Sequence, residues 1–240
     1  MFSSLIQTFT NCFKIPELKS RILFTALLLG IVRLISFVRV PGLDGAVLTE
    51  FFKAHSGDSG GVLGMYSLFT GGALERCSVG ALGIMPYISA TIIIQLLVVV
   101  IPTLEKLSKE GAEGQKKITE YTRYGTILLS IIQALGIAFF LESNTNISGG
   151  LPLVYNPGWA FRLMTVMTLT TGSIFVMWLG EQITERGIGN GMSLLIFAGI
   201  VVGLPTAITG TLQQLQTGEM GLFRLIALVV FMVAVVAAIV

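Results

Sequence analysis

The sequence predicts an all-α, polytopic membrane helix bundle with five complete transmembrane helices, the beginning of a sixth, and a short apolar run too brief to cross. Hydrophobic residues make up 53% of the 240 and charged residues only 12%. With a mean hydropathy of +0.85, that is more apolar surface than one soluble core hides. The charges are also clustered, leaving long uncharged stretches, each near the roughly 20 apolar residues that cross about 30 Å of hydrocarbon.

Residues 1–21 read as a cytoplasmic N-terminal segment. In it Leu5, Ile6, Phe9 and Phe13 recur at helical spacing before Pro16, as in an amphipathic helix tethered at the membrane interface. The first span is expected over Ile22–Val40; it is too long for a signal-peptide core and lacks a small-residue cleavage site, so it is expected to stay as a span. Arg33 is the one charge well inside a span, and it either snorkels outward or faces protein or water. Gly42 to Gly72 is glycine-rich and too long for a simple turn. It contains VLGMYSLF, Val62 to Phe69, which reads either as a small cluster in an external loop or as a re-entrant element.

The second span, Val79–Ile101, follows a glycine-hinged run and carries Pro86, Ser89, Thr91 and Gln95. A helix in lipid must satisfy its own backbone, so these residues suit one that faces protein or a water-filled path. Gln95 reads as polar glue between helices. Thr103–Arg123 mixes acids, bases and glycines and is expected to be a solvated turn. The third and fourth spans are expected at Tyr124–Leu141 and Phe161–Gly180. Between the fourth and the fifth, Met192–Thr209, lies a short loop in which Glu181 and Glu185 form a helical pair ahead of the glycines of GIGNG. An external loop follows from residue 210. The sixth span starts near Leu222 and is still apolar at Val240, so the chain looks cut inside it.

Lys14, Lys19 and Arg21 precede the first span, Lys106, Lys109, Lys116, Lys117 and Arg123 separate the second from the third, and Arg186 separates the fourth from the fifth. Lys and Arg enrich short cytoplasmic loops, which places that face and the N-terminus in the cytoplasm. The opposite loops hold only Lys53, Arg76, Arg162 and Arg224 near span ends.

No chemistry is spelled out. Cys12 and Cys77 fall on opposite sides of the expected membrane and cannot pair, and a lone His55 offers no metal site. HExxH, GxSxG, GxxxxGK[ST] and paired intramembrane aspartates do not occur. What spacing does offer is two aliphatic pairs, Ile84 with Ile88 and Met192 with Ile196, each on one helix face. Together they could make half of a hydrophobic collar that blocks ions by dewetting, although such pairs are common in any membrane helix.

Four long strings decide more than spacing does: PGLD at Pro41 to Asp44, GGALERCSVGALGIMPYISATIIIQLL at Gly71 to Leu97, EGQKKITEYTRYGT at Glu113 to Thr126, and MWLGEQITERGIGNGMSLLIFAGIV at Met177 to Val201. With these the chain resembles the SecY family, the channel subunit of the bacterial Sec translocon, over essentially its whole length. The resemblance implies the N-terminal half of a ten-span channel, residues 22–209 holding spans one to five, with residues 210–240 leading into span six.

By that resemblance Ile84, Ile88, Met192 and Ile196 belong to the pore ring, where Met192 departs from the usual isoleucine. Val62, Leu63, Gly64, Met65, Tyr66, Ser67, Leu68 and Phe69 correspond to the plug, within about residues 60–71, a half-helix on the outer side of the ring. Ser89, Thr91, Ile92 and Gln95 fall on the lateral gate. Arg39 stands where the family often has proline.

The implied function is passive: a channel that passes unfolded secretory polypeptides across the bacterial inner membrane and releases transmembrane segments sideways into lipid. It implies no enzyme activity, no cofactor and no direct nucleic-acid contact. The implied partners are SecE and SecG, the SecA ATPase or a translating ribosome, signal sequences and lipid. Two alternatives stand beside it. A secondary transporter with broken helices would need buried ion or substrate ligands, which these spans scarcely offer. A chain naturally this short would instead be a non-conducting scaffold.

Overall fold

The computed structural model describes residues 15–43, 48, 67, 69–143, 154–217 and 221–239. Among them the regular structure is helical, with two isolated bridges, Arg39 to Ser78 and Leu43 to Val154. Seven helices follow in order: α1 Pro16–Ile35, α2 Met85–Val100, α3 Pro102–Lys109, α4 Ala112–Ser143, α5 Trp159–Arg186, α6 Gly191–Gln216 and α7 Leu222–Ile239. Residues 1–200 form one compact unit and 201–240 another. The amphipathic segment around Leu5 to Phe13, and His55, lie outside the described residues.

Helix α1 is displaced toward the N-terminus relative to the expected span Ile22–Val40. Proline at the first helical position loses no hydrogen bond and presets φ, so Pro16 starts the helix early. It ends early because residues 38–40 pair elsewhere: Val40 N–H donates to the Cys77 carbonyl at 3.0 Å and Val79 N–H to the Val38 carbonyl at 2.8 Å.

The second helix starts later than the expected Val79. Residues 71–84 are a run of turns in which Gly71, Gly72, Gly83 and the non-glycine Cys77 all have positive φ. These turns are deeply buried, Ala73, Leu74, Cys77, Ser78, Ala81 and Leu82 being no more than 5% exposed. Irregular backbone at such depth must bond internally. Here Cys77 N–H reaches the Leu74 carbonyl, Ser78 N–H that of Ala73, Ala81 N–H that of Ser78 and Gly83 N–H that of Gly80, at 2.9–3.0 Å. Burial pushes the Cys77 thiol up to about 12, which makes it a packing group rather than a reactive one.

The expectation of a solvated turn at Thr103–Arg123 is corrected: most of it is helix. Pro102 occupies the first turn of α3, the chain bends by 101° between α2 and α3, and Gly111, at φ 78°, separates α3 from α4. Leu104 and Leu107 share one partly covered face while Lys106 and Lys109 are exposed, an amphipathic pattern too short to read from sequence. An exposed Lys109 to Glu105 pair at 2.6 Å spans one turn of it. The loop expected over Glu181 to Gly191 is likewise helical as far as Arg186, and α6 runs past the expected Thr209 to Gln216.

Helix α4 packs on α2 and α5, and α1 packs on α5. Thr122, Thr126, Ser130, Ala134 and Ala138 recur every fourth residue and are buried, so small side chains let the α4 backbone approach its neighbours. The hydroxyls are satisfied within the helix: Thr122 Oγ1 donates to the Ile118 carbonyl at 3.0 Å and Thr126 Oγ1 to that of Thr122 at 2.7 Å. Gly125 lies over Ala90 of α2, where an added Cβ would stand 3.5 Å away.

Ion pairs join α4 and α5 at both ends. Arg123 Nε lies 2.8 Å from Glu181 Oε1 at one end. At the other, Glu142 accepts from Arg162 and from the Gly158 N–H, and the Arg162 guanidinium sits 4.5 Å over the Phe139 ring. The Arg162 and Glu142 side chains are 27% and 9% exposed and those of Arg123 and Glu181 are 44% and 13% exposed, so the first pair is the better covered, chiefly at its arginine. Arg162→Met leaves a largely covered carboxylate with only the Gly158 N–H and is expected to lower stability by about 1–3 kcal/mol. Arg123→Met should change it by no more than about 1 kcal/mol, the usual range for an exposed pair. Unfolding midpoints in mixed micelles check this, and equal losses from the two would refute it.

Among the described residues, α4, α5 and α6 are each long and apolar enough to cross a membrane, and the bent α2–α3 pair makes a fourth candidate. In the second unit, residues 201–216 are the later part of α6, with Pro205 inside the helix, and α7 exposes nearly all of its described side chains.

Candidate functional site

The start of α6 is built to be rigid. Asn190 caps it, Oδ1 accepting from Met192 N–H at 3.0 Å and Ser193 N–H at 3.3 Å. Gly189 supplies φ 68°, and the Gly191 N–H donates to Thr184 Oγ1 at 2.9 Å. A side chain at Gly191 would overlap the Gly180 carbonyl oxygen, so only glycine lets α6 turn back so closely on α5. The same junction is tied to α1, because Ile188 N–H donates to Thr25 Oγ1 at 3.3 Å.

This geometry brings the two aliphatic pairs together. Ile84 is the N-cap residue of α2, and Ile88 N–H donates to its carbonyl at 3.0 Å, so the two stack one turn apart. Ile84, buried, and Ile88, Met192 and Ile196, half-buried, join one apolar cluster with Leu28 of α1, Val176, Leu179 and Ile183 of α5, and Leu195 of α6. Two cavities lie against it. The larger, about 500 Å³, is bounded by Ile88, Met192 and Ile196 and by the polar groups Thr91, Arg123, Glu181, Glu185 and Asn190. The smaller, about 50 Å³, is bounded by Ile84, Ile88, Ile196, Phe69 and Arg33. Ile88 and Ile196 wall both, so aliphatic side chains part a wide hollow, lined in part by polar groups, from a small one with room for only a few waters.

Of Val62 to Phe69, only Ser67 and Phe69 lie within the described residues; Val62, Leu63, Gly64, Met65, Tyr66 and Leu68 lie outside them. Ser67 is buried, and its hydroxyl donates to Glu75 Oε1 at 2.6 Å. The Ser67 carbonyl accepts from the Gly72 N–H at 2.9 Å and from Thr70 Oγ1 at 3.2 Å. Helix α6 approaches this turn closely, since a Cβ on Gly199 would lie 2.5 Å from the Phe69 carbonyl oxygen.

At about 100° per residue, Ser89, Thr91, Ile92 and Gln95 fall within one half of the circumference of α2. Thr91 and Ile92 line the larger cavity, Thr91 with its hydroxyl turned back to the Tyr87 carbonyl at 2.8 Å. Ser89 is half-buried, and Gln95 is exposed among the described residues. Two features escaped the sequence reading. The cross-helix pairing of Arg123 with Glu181 had a partial signal in the Glu181, Glu185 spacing. The inward turn of Arg33 was one of two readings, but its partner had no signal, because the acceptor is a backbone carbonyl 38 positions away.

Apolar helices packed about an aliphatic partition, with buried irregular backbone on one side of it, define the class: a polytopic α-helical membrane protein. Residues 78–240 match the SecY family model. The protein translocase subunit SecY of Escherichia coli K12 is 51% identical over 219 residues, 91% of this chain and 48% of the relative. That of Vibrio cholerae is 50% identical over 222 residues, 92% of this chain and 48% of the relative. The fold is similar to a solved protein-conducting channel at TM-score 0.58 and 17% identity, over 82% of this chain and 41% of that one. Sec61 in a canine ribosome–channel complex from the endoplasmic reticulum is similar to the same degree, with TM-score 0.58. The chain belongs to the SecY family. It spans about half the length of the curated relatives it matches.

Proposed function

We propose that this chain supplies one half of a protein-conducting channel in a bacterial inner membrane, with its N-terminus in the cytoplasm. The reading is carried by the convergence of Ile84, Ile88, Met192 and Ile196 from two separate helices onto one partition between two cavities. In this reading α1, α2 with its bent continuation, α4, α5 and α6 are spans and α7 contributes to a sixth. The four aliphatic residues are half of a gasket. Its side chains shed water when the path is empty and close around an unfolded polypeptide when it is full. Met192 suits that role, since a flexible thioether fills gaps as the passing chain changes.

The 500 Å³ hollow is then the cytoplasmic vestibule. Val62 to Phe69 is the plug on the far side. Ser89, Thr91, Ile92 and Gln95 lie on the helix along which signal sequences and membrane segments leave for lipid. The exposed apolar Ile92, Leu96 and Val99 on the same helix support that exit. Conduction is passive, so the driving force comes from a motor, SecA or a translating ribosome, and SecE and SecG are the expected membrane partners.

The test is a stalled translocation intermediate in the complete channel, with single cysteines placed at Ile88, Ile196 and, as an outside control, Leu128. Disulfide formation with a cysteine in the stalled chain is expected at residues 88 and 196 and not at 128, which is 62% exposed on α4. Equal crosslinking at all three would sink the assignment.

A further inference from the structure

We propose that Arg33 is a positioning residue that latches residues 69–72, and with them Phe69, against the aliphatic partition, so that it sets how tightly the empty path is sealed. The inference rests on the channel reading above and adds to it the group that holds the seal in place.

Arg33 lies in the last turn of α1, where a charged group in a membrane helix needs a protein or water partner. It does not reach outward. Its Nη1 donates to the Gly71 carbonyl at 3.3 Å, and no other hydrogen bond to it occurs among the described residues, Nη2 being buried without a partner. The guanidinium also packs flat against residue 71: a Cβ there would stand 2.5 Å from Nη1 and 2.8 Å from Nη2. Gly71, at φ 62°, is thus required twice, by its backbone conformation and by the cation lying on it.

The turn so held is closed on itself by Ser67, Thr70 and Gly72, and its second polar tie runs from Ser67 to Glu75. Phe69 and Arg33 wall the same 50 Å³ cavity as Ile84, Ile88 and Ile196. The turn therefore closes that cavity from one side while α1 anchors it through one charged donor. Release removes the only acceptor this cation has among the described residues. Among the described residues the hold is one charge-assisted bond rather than a network, which keeps it breakable.

The experiment uses the complete channel in planar bilayers, comparing wild type with Arg33→Met, Arg33→Lys and Ile196→Asn. Met keeps the aliphatic stem and deletes every donor. A lost charge-assisted hydrogen bond should raise the resting open probability roughly tenfold. Lys retains one donor and should restore most of the seal. The conductance of the channel fully opened by a translocating chain should not change, which separates a latch from a wall of the pore. Melting in detergent checks that Arg33→Met is folded. If it is not, the milder Arg33→Gln, read against Arg33→Lys, carries the same comparison.

Unchanged or reduced resting conductance in Arg33→Met, with Ile196→Asn leaking, overturns the latch and leaves the channel reading standing. If Ile196→Asn fails to leak as well, the channel reading itself falls.

Discussion

Gly172→Ala is expected to destabilise the protein by about 3 kcal/mol, a loss at the upper end for the insertion of a single methyl group. Gly172 lies in the buried stripe of α5, and the new Cβ would overlap the carbonyl oxygen of Val79 and stand 2.7 Å from its Cγ1. Backbone cannot rotate away as a side chain can. Val79 is held on its other side, because its N–H donates to the Val38 carbonyl at 2.8 Å. Next to Gly172, Ser173 reaches the Gly83 carbonyl at 3.4 Å. Displacing α5 therefore disturbs the buried turns and the end of α1 together. Gly136→Ala is the matched control: it sits in α4 with nothing within 4 Å of the added methyl. Helix propensity alone should make it stabilising by about 0.5–1 kcal/mol. Denaturation midpoints in mixed micelles read both, and a Gly172→Ala protein as stable as wild type would show that α5 and the 71–84 turns do not pack as described.

The second large effect is expected from Ile88→Asn combined with Ile196→Asn in the complete form of the proposed channel. These side chains wall both cavities, so making them polar should let water and ions bridge the partition. Resting ion conductance across planar bilayers is expected to rise by roughly tenfold or more, as dewetting rather than steric closure sets the block. Folding should suffer less than from the glycine change, since both residues are only partly buried and Asn retains most of the volume. Ile93→Asn, on a residue of α2 that is 45% exposed and outside both cavities, serves as the neutral comparison. Equal leak from that variant would mean that conduction follows some path other than the partition.

The helical bundle and the aliphatic pairs were legible in the sequence because both follow from local rules. Uncharged stretches of span length and i, i+4 spacing need no partner to be seen. The long strings around Gly71 to Leu97 and Met177 to Val201 then gave the family. What stayed hidden was set by groups far apart along the chain. Pro86 read as lying inside a span that began at Val79, yet it stands in the first turn of a helix that begins at Met85, and Pro102 opens a new helix after the break at Val100. Charges read as a solvated turn in Thr103–Arg123, yet Lys109 and Glu105 brace a helix whose two leucines face one side. Arg33 had two readings at the sequence level, and only the position of the Gly71 carbonyl distinguishes them.

The stacking of Ile84 on Ile88, with Met192 and Ile196 at the same spacing across from them, has an electrical consequence. Four residues of helix rise only about 6 Å. In the proposed channel, once a passing chain has opened the path on both sides, the insulating layer at the partition would be a single helical turn and not the whole bilayer. Most of the membrane voltage would then drop across that turn. A charged side chain on a passing polypeptide would feel little force in the vestibule and a steep one at the gasket, where about 2.3 kcal/mol per elementary charge per 100 mV is delivered within a few ångströms.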